Sequence, residues 1–79
     1  MRRTFKVKHL PTKLLAVREH PGLSQSQLAA KLRLNLHYSR LSEFERGRRI
    51  PNLITLLDYA RLAGIHVDDL IDDETEMRL

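Results

Sequence analysis

The chain has 79 residues, no cysteine, and 14 Lys/Arg against 10 Asp/Glu. That length makes one small domain, best served by a helical core and helped by dimerisation. The composition excludes disulfides and thiolate metal sites. No stretch approaches the roughly 18 apolar residues of a membrane span, and no secretory leader pattern is seen. A soluble, intracellular (cytoplasmic) protein is expected.

The charge is unevenly spread. Residues 1–50 carry 12 Lys/Arg and 3 Asp/Glu, a net +9, whereas residues 51–79 carry 2 and 7, a net −5. A polyanion is attracted to one side of such a molecule and repelled from the other, which sets orientation.

Residues 1–10, MRRTFKVKHL, are basic, with Phe5 and Val7 alternating. They read as a short strand, an ordered arm or a disordered tail. Arg2, Arg3, Lys6 and Lys8 suit an arm that reaches the minor groove or backbone of DNA. A first helix is expected from Pro11, a residue suited to the first turn, through Leu14, Leu15, Val17 and Arg18. Pro21-Gly22 ends it. Ser24 is an N-cap candidate for a second helix, and Gln27 completes a capping box. Leu28, Ala29 and Leu32 face inward at helical spacing. The connection over residues 33–38 is ambiguous. Leu34 and Leu36 alternate, while Asn35 or His37 suits a cap. A third helix is expected over residues 38–46, with Leu41 and Phe44 inward and Gly47 as a left-handed C′ glycine. Asn52 caps a fourth helix, residues 53–63, with Leu56, Leu57, Ala60 and Ala63 inward and Gly64 closing it. A short fifth helix spans residues 67–72, with Val67, Leu70 and Ile71 apolar. The expected fold is all-α, a compact five-helix domain. Residues 1–10 form the arm or strand, 11–72 the domain, and 73–79 a frayed acidic tail.

Residues 24–47 thus read as two short helices on a tight connection, flanked by cations. This is the minimal device for placing a helix in the DNA major groove. Because Leu41 and Phe44 take the inward face, Tyr38, Ser39, Arg40 and Glu43 lie outward near the start of the third helix. Arg40 is placed to bond guanine O6/N7 or a phosphate. Glu43 either accepts from cytosine N4 or steers Arg40 through an i, i+3 contact. Arg46, Arg48 and Arg49 suit phosphate clamps, which set register without reading sequence. His37 either touches phosphate or caps the third helix. The other histidines, His9, His20 and His66, read as surface residues. The four together show no metal-ligand spacing, so no metal and no cofactor are expected. Asp68-Asp69 and Asp72-Asp73 read as solubilising charge rather than a magnesium site. There is no glycine-rich phosphate loop, no nucleophile with a neighbouring base and no paired-carboxylate cleft, so the chain is not expected to be an enzyme.

The segments SQSQLA (residues 24–29), ERGRRIP (45–51), LLDYARLAGI (56–65) and VDDLI (67–71) together resemble the helix-turn-helix domain of the lambda-repressor and Cro type, the XRE family. The resemblance covers about residues 12–72. It implies that Arg18 and Glu45 form a partly buried structural ion pair. It also implies that Gln25 contacts backbone phosphate and that Tyr38, Ser39 and Glu43 face bases. One departure stands out. Arg33 occupies the place of the family's turn glycine, and the stretch from Leu32 to Glu45 is about two residues longer.

The expected function is sequence-specific binding of double-stranded DNA by a homodimeric transcriptional repressor. Two half-sites supply the specificity that one short helix lacks. Helix 5, Leu62 and the N-terminal strand are the candidate dimer surfaces. The alternative is an antitoxin or adaptor whose main partner is another protein.

Overall fold

The computed structural model describes residues 7–33 and 36–79. The expectations for Arg2, Arg3, Phe5, Lys6, Leu34 and Asn35 fall outside them, as does the centre of the connection that the sequence suggested is lengthened. The described chain forms five helices: α1 (Leu10–Glu19), α2 (Gln25–Lys31), α3 (Tyr38–Glu45), α4 (Leu53–Ala63) and α5 (Val67–Ile71).

The helix ends follow local chemistry. The Ser24 hydroxyl accepts from the Gln27 amide at 3.1 Å, and the Gln27 side chain accepts from the Ser24 amide at 2.8 Å. Two orphan donors at the start of α2 are thereby satisfied reciprocally. Asn52 Oδ1 accepts from the Thr55 amide at 2.9 Å and starts α4. At the end of α3 the Arg48 amide donates to Glu43 O (2.9 Å) and the Gly47 amide to Phe44 O (3.2 Å). This pair of hydrogen bonds is a Schellman closure, and it needs the left-handed φ of +72° at Gly47. A Cβ there would also meet Pro11 Cγ at 3.3 Å. The turn after α3 is therefore seated against the start of α1.

One apolar core joins the helices. Leu10, Leu14 and Val17 come from α1, Leu28, Ala29 and Leu32 from α2 and its end, and Leu41 and Phe44 from α3. Leu56, Tyr59 and Ala60 come from α4, and Leu70 from α5. On α4 the buried set is Thr55, Leu56, Tyr59 and Ala60. Leu57 and Ala63, expected inward, are half-buried instead. The buried stripe is rotated towards Thr55 and Tyr59, because α4 packs on α1 and α5. Tyr59 is fully buried, and its hydroxyl has no hydrogen-bond partner among the described residues.

A polar network holds α3 against α1. Arg18 Nε donates to Glu45 Oε2 at 2.8 Å, and Arg18 Nη2 donates to Glu45 Oε1 at 3.1 Å. Arg18 Nη1 donates to Leu23 O at 3.0 Å, and Gln25 Nε2 donates to Glu45 Oε1 at 3.1 Å. The Glu45 side chain is only 6% exposed, so its charge requires this paired, forked donor. The hydrogen bond to Glu45 raises the Arg18 pKa from its ordinary value against the opposing effect of burial.

The acidic segment after α5 does not fray as the sequence suggested. Lys13 Nζ donates to the carbonyls of Asp69 (2.8 Å), Asp72 (2.8 Å) and Thr75 (2.9 Å). One ammonium thereby satisfies carbonyls at and beyond the negative end of α5. The Asp73 carboxylate accepts from the Lys8 and His9 amides at 3.0 and 3.1 Å, ahead of the positive end of α1. Met77 packs on the core. The sequence reading missed this because the bonds span 56–65 residues and each has a backbone atom as one of its two partners.

Four outcomes follow for purified protein. In urea unfolding, Glu45→Gln leaves the Arg18 charge without its partner and costs about 3 kcal/mol. Arg18→Lys keeps the charge but loses the fork, and costs about 1–2 kcal/mol. Tyr59→Phe removes an unpaired buried hydroxyl and leaves stability unchanged or raised by about 1 kcal/mol. Burial opposes ionisation of Asp73, but the His9 and Lys8 amides and nearby positive charge outweigh it and lower the pKa. The clasp is therefore present above the ordinary carboxylate range and lost as pH falls through the lowered value. Protection of the Lys8 and His9 amides from hydrogen exchange should collapse over that acid window, and Asp73→Asn should abolish the pH dependence.

Candidate nucleic-acid interface

With Leu41 and Phe44 buried and Glu45 turned to Arg18, the opposite side of α3 is left to solvent. Ser39 and Glu43, four residues apart, lie at its centre. Tyr38 is 49% exposed, Ser39 is exposed, and Arg40, Ser42 and Glu43 are half-exposed. Ser42 belongs to this surface and was missed from the sequence. Its place on the helical wheel, roughly 60° from Ser39 on the side away from Glu43, is the signal that would have found it.

The start of α3 is set by His37. Its Nδ1 accepts from the Ser39 amide at 3.2 Å and lies 2.9 Å from Ser39 Oγ. With Nδ1 accepting, the ring proton sits on Nε2. The Tyr38 ring lies 4.4 Å from the His37 ring, centroid to centroid. Of the two roles the sequence offered for His37, the cap is formed, and Nε2 is left as a donor.

At the other end of α3, Arg46, Arg48 and Arg49 are all exposed. Arg49 Nε donates to Glu43 Oε2 at 2.6 Å. Glu43 thus pairs with Arg49 across the helix end, not with Arg40 within the helix. Its carboxyl is held below the ordinary range, chiefly by the Arg49 hydrogen bond; burial opposes, while Arg49, Arg40 and Arg48 add attraction. Arg40, Arg46 and Arg48 have no carboxylate within salt-bridge distance among the described residues. Gln25, half-buried at the start of α2, donates one amide hydrogen to Glu45, and its side-chain oxygen accepts no hydrogen bond among the described residues.

The result is a short helix presenting small and polar side chains, with unpaired guanidinium groups around it. This chemistry suits a polyanion with hydrogen-bonding edges. Among the described residues no group of His, Asp or Glu is arranged to hold a metal ion. No helix among them is long and apolar enough to cross a membrane.

Comparison with known proteins identifies the family and the fold. The helix-turn-helix family profile matches residues 14–70. The immunity repressor protein of Bacillus phage phi105 is 40% identical over 63 residues, which cover 80% of this chain and 42% of the repressor. The uncharacterized HTH-type transcriptional regulator y4dJ of Sinorhizobium fredii is 38% identical over 61 residues, 75% of this chain and 77% of the regulator. The chain spans less than half the length of the phage repressor and 31% of a second Sinorhizobium fredii regulator, y4dL. Among solved structures, the N-terminal DNA-binding domain of SinR from Bacillus subtilis superposes with a TM-score of 0.73 at 26% identity, covering 86% of this chain and 97% of that domain. SinR has also been solved in complex with DNA and in complex with SinI. The family is one of DNA-binding domains and not of enzymes. From the match across most of its length and the shared five-helix fold, the chain belongs to the helix-turn-helix family of the lambda-repressor (XRE) type.

Proposed function

We propose that this chain binds double-stranded DNA sequence-specifically as a homodimer and represses transcription, with α3 in the major groove. The observation that carries the reading is the solvent face of α3. It is capped at one end by His37, closed at the other by Gly47, and surrounded by arginines without acidic partners. Tyr38, Ser39, Arg40 and Glu43 read base edges. Gln25, His37, Arg46 and Arg48 contact the phosphate backbone and set the register. Similarity to the immunity repressor of phage phi105 and to SinR, which has been solved in complex with DNA, supports the DNA partner.

Dimerisation rests on two points. A single short helix reads too few base pairs for useful specificity. The chain also exposes Ile50, Leu53, Ile54 and Leu62, the first at 67% and the last at 41%. The fifth helix is a poorer candidate than the sequence suggested, because Leu70 is buried and Val67 and Ile71 pack on the core. The same apolar side chains, together with the SinR–SinI complex, favour a second reading in which a protein partner shares the chain. Stoichiometric co-purification of a second polypeptide from the native host would support it.

The test is selection of a random duplex library on the purified chain, followed by binding titrations. An enriched inverted repeat with half-sites about one helical turn apart is expected. Arg40→Ala should relax preference at one position, at a cost of about 1–3 kcal/mol. Arg48→Ala should weaken all sequences alike and reduce the salt slope by about 0.9. A folded protein that enriches no motif would sink the reading.

A further inference from the structure

We propose that Glu43 and Arg49 act as one specificity-determining unit. Glu43 accepts a hydrogen bond from the exocyclic amino group of a cytosine. Arg49 is a positioning residue that holds and neutralises this carboxylate, not a phosphate clamp. The inference rests on the reading of α3 as the DNA-reading helix.

A carboxylate at the centre of a surface meant for a polyanion is a liability unless its charge is matched. Both acids of α3 are matched, in different ways. Glu45 is 6% exposed, and both of its oxygens are engaged by Arg18 and Gln25. Glu43 is 38% exposed and pairs through Oε2 alone, at 2.6 Å from Arg49 Nε. Its Oε1 has no hydrogen-bond partner among the described residues. The pair therefore presents an acceptor to solvent with its charge already compensated.

The backbone makes this arrangement durable. The Arg48 amide donates to Glu43 O at 2.9 Å, and Gly47 adopts the left-handed turn. The chain leaving α3 thus folds back beside Glu43. Arg49, six residues on, reaches a side chain that it could not meet along a continuing helix. Arg46 and Arg48, on the same turn, have no carboxylate within salt-bridge distance among the described residues. The three arginines are consequently not equivalent.

Base chemistry names the ligand. In the major groove only cytosine N4 and adenine N6 donate, and adenine sets its N7 acceptor beside that donor, which repels a carboxylate. Guanine and thymine present acceptors at the corresponding edge. A fixed carboxylate oxygen therefore favours cytosine.

The test uses the full chain on its selected duplex and on single-base variants, at several salt concentrations, with folding checked by circular dichroism. Glu43→Gln is expected to shift preference at one position from cytosine towards adenine, which a glutamine amide can bond twice. Arg49→Ala is expected to lose roughly tenfold discrimination at that same position while leaving the salt slope at the wild-type value. Arg49→Lys is expected to recover part of the discrimination. If Arg49→Ala instead lowers the salt slope as Arg48→Ala does and leaves base preference unchanged, Arg49 is a phosphate clamp and the unit is overturned while DNA reading stands. If the wild-type chain shows no base preference at all, both the unit and the reading of α3 fail.

Discussion

The orientation of the helix pair depends on one guanidinium. Arg18, on α1, spends its fork on Glu45 at the end of α3 and its remaining amino group on Leu23 O just before α2. Gln25, the first residue of α2, joins the same carboxylate. Three elements are thus tied at one planar, directional node. Apolar contacts among Leu14, Leu28, Leu41 and Tyr59 supply most of the driving force, but they are non-directional. The node restricts how α3 rotates and slides on that apolar bed, and so which residues face solvent.

That restriction gives the two acids of α3 opposite fates. Glu43 and Glu45 are separated by roughly 200° of helical rotation. Turning Glu45 into the Arg18 node turns Glu43, with Ser39, to the centre of the exposed face. The Schellman turn at Gly47 then returns the chain so that Arg49 meets Glu43. The same turn leaves Arg46 and Arg48 beside the face without acidic partners. Structure and surface chemistry are linked here through the pitch of one eight-residue helix.

A second node closes the other side of the domain. The Lys13 ammonium gathers three carbonyls from α5 and the residues after it, while Asp73 takes two amides ahead of α1. The carboxyl end of α5 and the amino end of α1 are each given opposite charge from a distant part of the chain. A five-residue helix is marginal alone, and this arrangement, with Leu70 and Met77 on the core, compensates for its length.

Much of this was legible in the order of residues, because it depends on neighbours. The Ser24/Gln27 capping box, the Asn52 cap, the left-handed Gly47 and the inward Leu28, Leu41 and Phe44 need only positions within a turn or two of each other. Helical periodicity likewise pointed Tyr38, Ser39, Arg40 and Glu43 outward. Tertiary structure alone decided what bridges distant segments. It buried Tyr59 and Thr55 in preference to Leu57 and Ala63, since the rotation of α4 answers to α1 and α5 rather than to its own pattern. It joined Glu43 to Arg49 instead of Arg40, since the partner becomes a neighbour only after the chain reverses. It also ordered the acidic tail, since backbone carbonyls carry no signature in a sequence, and the lysine that gathers them lies 56–62 residues away.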